Sequence, residues 1–122
     1  MTAVVCICRL KLNNMEASPR EVILYKTSDG VCPFDEWLTS LRDTRAVDKI
    51  TLRIRRVEQG NLGDYKSVGN GVCELRIDYG AGYRVYFGQI GKTIVVLLCG
   101  GDKSTQEQDI LKAQAYWEYY RS

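Results

Sequence analysis

Apolar residues recur along the chain in two rhythms, and the changes between them mark the elements. Val22-Ile23-Leu24-Tyr25-Lys26-Thr27 is β-rich and stops at the turn pair Asp29-Gly30, which predicts a first strand. Behind Pro33, Phe34, Trp37, Leu38 and Leu41 fall at i, i+3, i+4 and i+7, one face of a short helix. Asp43-Thr44 interrupts it. Val47, Ile50, Ile54 and Val57 predict a second helix that Gly60 ends, and Arg45, Lys49, Arg53, Arg55 and Arg56 occupy its other faces. The expectation is a helical hairpin with one apolar seam and a basic exterior.

Residues 61–71, rich in glycine and asparagine, are expected to form a loop carrying Lys66. Three strands follow, Val72–Tyr79, Tyr83–Ile90 and Thr93–Cys99, joined at Gly80-Ala81-Gly82 and Gly91-Lys92 as an antiparallel meander. A three-residue turn at 80–82 sets Ile77 opposite Val85, Leu75 opposite Phe87, Asp78 opposite Arg84 and Arg76 opposite Tyr86. A two-residue turn at 91–92 sets Leu97 beside Tyr86 and Cys99 beside Arg84. The run Ile94–Leu98 is apolar in both directions, as a central strand covered on both faces would be. Ser104-Thr105-Gln106-Glu107 reads as a capping box, and the helix behind it carries Ile110, Ala113, Trp117 and Tyr120 at spacings of three and four.

The expected class is therefore α+β: an N-terminal strand and helical hairpin packed on an antiparallel meander, with a C-terminal helix. Residues 1–20 stand apart from this pattern. Ala3–Leu12 suits a short strand, Asn13-Asn14 and Ser18-Pro19 break it, and Met15 offers a second start. The expected division is an extension or mis-assigned start over 1–20 and one domain over 21–122.

Composition narrows the chemistry. The chain has 122 residues, 17 Lys+Arg against 15 Asp+Glu, and no histidine. That absence excludes Ser-His-Asp and Cys-His catalysis and His-ligated zinc within this chain, leaving Lys, Arg, Tyr, carboxylates and Cys. A net charge of +2 confines any anion site to a local basic cluster. Five cysteines without a C-x-x-C pair indicate neither a disulfide framework nor a zinc ribbon, so no metal or cofactor is expected. The longest apolar run, Ala3 to Cys8, is too short to span a bilayer. The expectation is a soluble, cytoplasmic protein with no membrane partner.

One face of the meander receives Glu74, Arg76 and Asp78 from one strand and Arg84 and Tyr86 from the next. Lys66 enters from the loop before it and Lys103 from the Gly100-Gly101 corner. Guanidinium groups on a rigid sheet can hold phosphates by paired hydrogen bonds, lysines add point charge, and a phenol can stack on a base or pass a proton. The same residues also fit a structural account. Arg84 can pair with Asp78 across the strands, Arg76 can stack on Tyr86, and Lys66 and Lys103 can be solvated loop residues.

Three stretches carry a family resemblance: Gly71-Val72-Cys73-Glu74-Leu75-Arg76-Ile77, Gly82-Tyr83-Arg84-Val85-Tyr86-Phe87, and Leu97-Leu98-Cys99-Gly100-Gly101-Asp102-Lys103-Ser104-Thr105-Gln106. With Pro33-Phe34-Asp35-Glu36-Trp37-Leu38 and Gly60-Asn61-Leu62-Gly63-Asp64-Tyr65-Lys66, they resemble the RelE/ParE toxin superfamily, nearest its HigB-like addiction module killer group, over about residues 21–122. The resemblance implies a helical hairpin on an antiparallel sheet and the toxin half of a type II toxin–antitoxin pair, silenced by a cognate antitoxin of helix-turn-helix type. It implies a ribosome-dependent mRNA endonuclease. Arg84, Arg76 and Lys103 would stabilise charge while the 2′-hydroxyl attacks the adjacent phosphate, and Lys66, Tyr83 or Tyr86 would handle a proton or contact RNA. Two departures stand out. Glu74 takes the place of a RelE lysine, and the C-terminal RelE tyrosine has no counterpart, Gln108 or Asp109 occupying that region. The same fold also hosts ParE-like gyrase inhibitors and would suit a degenerate toxin that only binds its antitoxin. The aromatic end of the last helix, Tyr116, Trp117, Tyr119 and Tyr120, is a candidate antitoxin contact, although core packing accounts for Trp117 and Tyr120 at least as well.

Overall fold

In a computed structural model, which describes residues 19–122, the chain forms five strands and three α-helices. They run β1 (Glu21–Leu24), α1 (Pro33–Ser40), α2 (Thr44–Glu58), β2 (Tyr65–Gly69), β3 (Val72–Ile77), β4 (Tyr83–Ile90), β5 (Ile94–Gly101), a 3-10 turn (Lys103–Thr105) and α3 (Gln106–Arg121). The strand expected over 3–12 and the second start at Met15 lie outside the described residues.

Local sequence explains the helix ends. Pro33 opens α1, where a missing N–H costs nothing. Asp43 caps α2 by accepting from the Arg45 and Ala46 amides. At its other end the Gly60 amide donates to the Val57 carbonyl and the Asn61 amide to the Arg56 carbonyl, with Gly60 at φ +93°. That pattern is a Schellman motif, and it needs a residue that tolerates the left-handed region. The capping box expected at α3 does not form. Asp102 instead accepts from the Ser104 amide and opens the 3-10 turn, while Thr105 precedes the helix without a side-chain cap.

The sheet is mixed, in the order β1-β5-β4-β3-β2, with β1 parallel to β5 and the other pairs antiparallel. α1 and α2 cover one face, where Phe34, Ile50 and Val57 pack on Leu75, Ile77, Val85, Phe87, Val95 and Leu97. α3 covers the other, where Ala113 and Trp117 pack on Val72, Tyr86, Val96 and Leu98. β5 is buried between them, as its two-sided apolar run requires.

The registers differ from expectation in three places. Residues 61–71 hold a strand: β2 and β3 form a hairpin turned by Asn70-Gly71, whose φ values of 55° and 83° suit a two-residue primed turn. A five-residue connection, 78–82, joins β3 to β4, so Ile77 faces Tyr83, Leu75 faces Val85, Arg76 faces Arg84 and Glu74 faces Tyr86. The expected Asp78–Arg84 and Arg76–Tyr86 pairs are therefore absent. Between β4 and β5 the turn spans 91–93 and a register shift follows, so Leu97 faces Phe87 and Cys99 faces Tyr86. Leu97 thus belongs to the helical-hairpin side and Cys99 does not neighbour Arg84.

Candidate anion-binding site

The α3 side of β3 and β4 places a carboxylate among cations. Glu74 is wholly buried. Its Oε1 accepts from Arg76 Nε at 3.4 Å, and its Oε2 accepts from Tyr86 Oη at 3.2 Å and from Gln106 Nε2 at 2.7 Å. Arg84 Nε lies 3.7 Å from Oε2, near enough for charge attraction and too far for a hydrogen bond, and this buried nitrogen has no hydrogen-bond partner among the described residues. Arg84 Nη1 donates to the Gly82 carbonyl at 3.3 Å. The two arginines stand directly opposite each other on β3 and β4, a pairing that repels unless a negative charge intervenes. Glu74 supplies that charge.

The arginines differ in access. The Arg84 side chain is 13% exposed and that of Arg76 is 37% exposed. Lys66 stands on β2 directly opposite Glu74, so its side chain leaves the sheet on the same face. Lys103 comes from the 3-10 turn, its amide donating to the Ala81 carbonyl. A Cβ on Gly82 would meet Lys103 Cβ at 3.4 Å and Arg84 Nη1 at 3.6 Å, so both side chains border Gly82. Four cations from β2, β3, β4 and the turn before α3 thus share one side of the sheet. Glu74 is the carboxylate in contact with the two arginines.

Two of the expected site residues sit elsewhere or are closed off. Tyr83 points to the opposite face, where its ring lies 6.3 Å from that of Trp37 and packs on the hairpin core. Alternation along β4 forbids it from joining Arg84. Tyr86 is on the correct face but fully buried under α3. Burial, then the neighbouring Glu74 charge and the hydrogen bond to it, raise its pKa above the phenol value of 10.0. Its proton stays on oxygen and is donated to Glu74.

Gln106 is the member that pattern reading did not place on this face, and Glu74 was placed there without a role. Glu74 stood in the sequence as a face residue between Cys73 and Leu75, and its alternation with Arg76 was the available signal. Gln106 had none, because its role depends on where α3 starts over the sheet. Arg76 also borders a cleft of about 320 Å³ with Lys49, Arg53, Arg56, Asp64 and Asp78, between β3 and α2.

Fold and site together define a small α+β domain with a cationic sheet face organised round a buried carboxylate. No protein-family model matches the chain. A Haemophilus influenzae protein described as an uncharacterized protein is 56% identical over 81 residues, which cover 66% of this chain and 82% of that protein. The chain belongs to the family of that protein.

Proposed function

We propose that the chain is a RelE-like toxin of the HigB-like group, the toxin half of a type II toxin–antitoxin pair, and that it cleaves mRNA on the ribosome. The observation that carries this reading is the gathering of Arg76, Arg84, Lys66 and Lys103 on one face. The helical hairpin between a first strand and an antiparallel meander supports the same reading. In this account the guanidinium groups hold the scissile phosphate and offset charge as the 2′-hydroxyl, giving up its proton to water, attacks. Lys66 or Lys103, as donor, protonates the leaving oxygen, because Tyr86 is closed to solvent and holds its proton for Glu74. The ribosome supplies the remaining orientation. The partners are a cognate antitoxin, expected to be of helix-turn-helix type, and the translating ribosome, so the work is cytoplasmic. Expression without antitoxin should arrest growth and leave codon-positioned cuts in mRNA, and Arg84→Ala should relieve both. Arrest at full strength in that variant would remove Arg84 from the site.

One observation favours a second reading, in which the protein acts by binding alone, as a ParE-like gyrase inhibitor or an antitoxin partner. The two groups on this face that could accept or relay a proton, Glu74 and Tyr86, are both buried. The two readings separate in the cell. Loss of protein synthesis before any DNA damage response favours mRNA cleavage, and filamentation with DNA damage signalling favours gyrase.

A further inference from the structure

Glu74 is the carboxylate in the described sheet that is fully closed to solvent, and donors from β3, β4 and α3 converge on it. Taking such a charge out of water carries a desolvation penalty that its partners must repay, and apolar residues of similar size often serve stability as well or better. A carboxylate there calls for another explanation. It cannot touch a substrate, since none of its surface is open. What it does touch are the Nε edges of the two arginines that face each other across β3 and β4.

We propose that Glu74 is a positioning residue for a phosphodiester clamp: it anchors Arg76 and Arg84 by their Nε ends, so that their remaining N–H groups are presented together to one phosphate. This rests on the reading of the face as the RNA site. A free arginine loses considerable rotamer freedom when it grips a ligand, and a guanidinium fixed beforehand loses less. Arg76 is held by its hydrogen bond to Oε1. Arg84 is held on one side by charge and on the other by the Gly82 carbonyl. Tyr86 and Gln106 in turn fix the carboxylate, both through Oε2. Because Oε2 is already occupied by two donors, Arg84 Nε stops at 3.7 Å, and this arginine is the looser arm of the clamp.

Glu74→Gln keeps the shape and removes the charge. The test combines two measurements on purified protein: hydrogen exchange of the arginine Nε–H groups by ¹⁵N-edited NMR, and ribosome-dependent mRNA cleavage per folded molecule. In the variant, exchange at Arg76 should quicken and cleavage should fall about tenfold or more, the scale of one lost charge-assisted hydrogen bond. A purely structural Glu74 would lower the melting temperature and leave cleavage per folded molecule unchanged. Undiminished cleavage in a folded Glu74→Gln protein therefore overturns the proposal and leaves the toxin reading standing. Quickened exchange in the variant, with a wild-type protein that cuts no mRNA, supports the anchoring and overturns only the mRNA reading. If Glu74→Gln does not fold, Gln106→Ala carries the test. Freeing Oε2 of one donor should let Arg84 Nε close on it, so exchange at Arg84 slows, and unchanged exchange there overturns the clamp.

Discussion

The phenol of Tyr86 and the thiol of Cys99 face each other across β4 and β5 beneath α3, and burial works on both in the same direction. Burial, aided by the charge of Asp109, pushes Cys99 from 9.0 up to about 12, and Tyr86 rises above 10.0 chiefly by burial and then by Glu74. Each group binds its proton more tightly folded than unfolded. The associated stability is complete below the unfolded-state values and is lost as pH climbs through the folded ones. Denaturant midpoints should therefore decline from about pH 9 upward, and Cys99→Ala should flatten the decline between 9 and 12. An equal slope in that variant would assign the alkaline loss to other groups. The glycines beyond Cys99 answer to packing. A Cβ on Gly100 would collide with the Trp37 ring and one on Gly101 with Asp109 Oδ2. Both glycines let helices approach β5 from opposite sides, and either alanine variant should cost about 1–3 kcal/mol or more by chemical denaturation. In sequence the Gly100-Gly101 corner reads only as the carrier of Lys103. Only the positions of α1 and α3, which depend on contacts far along the chain, reveal it as a packing device.

Periodicity made the helices legible: Phe34, Ile50, Val57, Ala113 and Trp117 all face the core as their spacing demands. Strand registers were harder, because they hang on turn lengths of one or two residues. Lengthening the β3–β4 connection from three residues to five slid the pairing by two positions, which kept every side chain on its expected face. The β4–β5 turn gained one residue, which moved Leu97 to the other face, and the register shift before Cys99 returned that residue to the side of Tyr86. β2 was hidden by the glycines around it, although Asn70-Gly71 carries a strong two-residue hairpin signal. That turn sets Lys66 opposite Glu74, so its chemistry bears on the site. Gly71 combines φ +83° with a would-be Cβ contact of 2.7 Å to Trp117 Nε1, whereas Gly91 has φ +59° with open space around it. Gly91→Ala should cost the left-handed backbone penalty alone, about 1–2 kcal/mol, and Gly71→Ala clearly more. Equal losses in urea melts would mean that Trp117 yields without cost. On the hairpin, Asp43→Ala should cost about 1 kcal/mol for the lost α2 cap.

Across the whole domain, the sheet is a partition: the helical hairpin closes one side, and α3 closes most of the other while leaving the cationic face at its N-terminal end. Among the described residues no helix is long and apolar enough to cross a membrane. The distribution of charge then sets how the molecule can meet RNA. The full chain carries only +2, so affinity for a polyanion must come from the cluster rather than from the field of the whole protein. A cluster of this size is expected to meet about three phosphates. Each releases roughly 0.7 of a counterion on single-stranded RNA, which predicts a slope near −2 when log affinity is plotted against log salt. Such binding is weak at physiological salt, as expected of a protein that leaves substrate positioning to the ribosome. Lys66→Ala and Lys103→Ala should each shallow the slope by roughly 0.7, whereas Arg55→Ala, on the far helix, should leave it unchanged. A steeper wild-type slope that falls on removal of Arg45, Lys49 or Arg56 would move the contact to α2, and the sheet face would then lose its claim on the phosphate backbone.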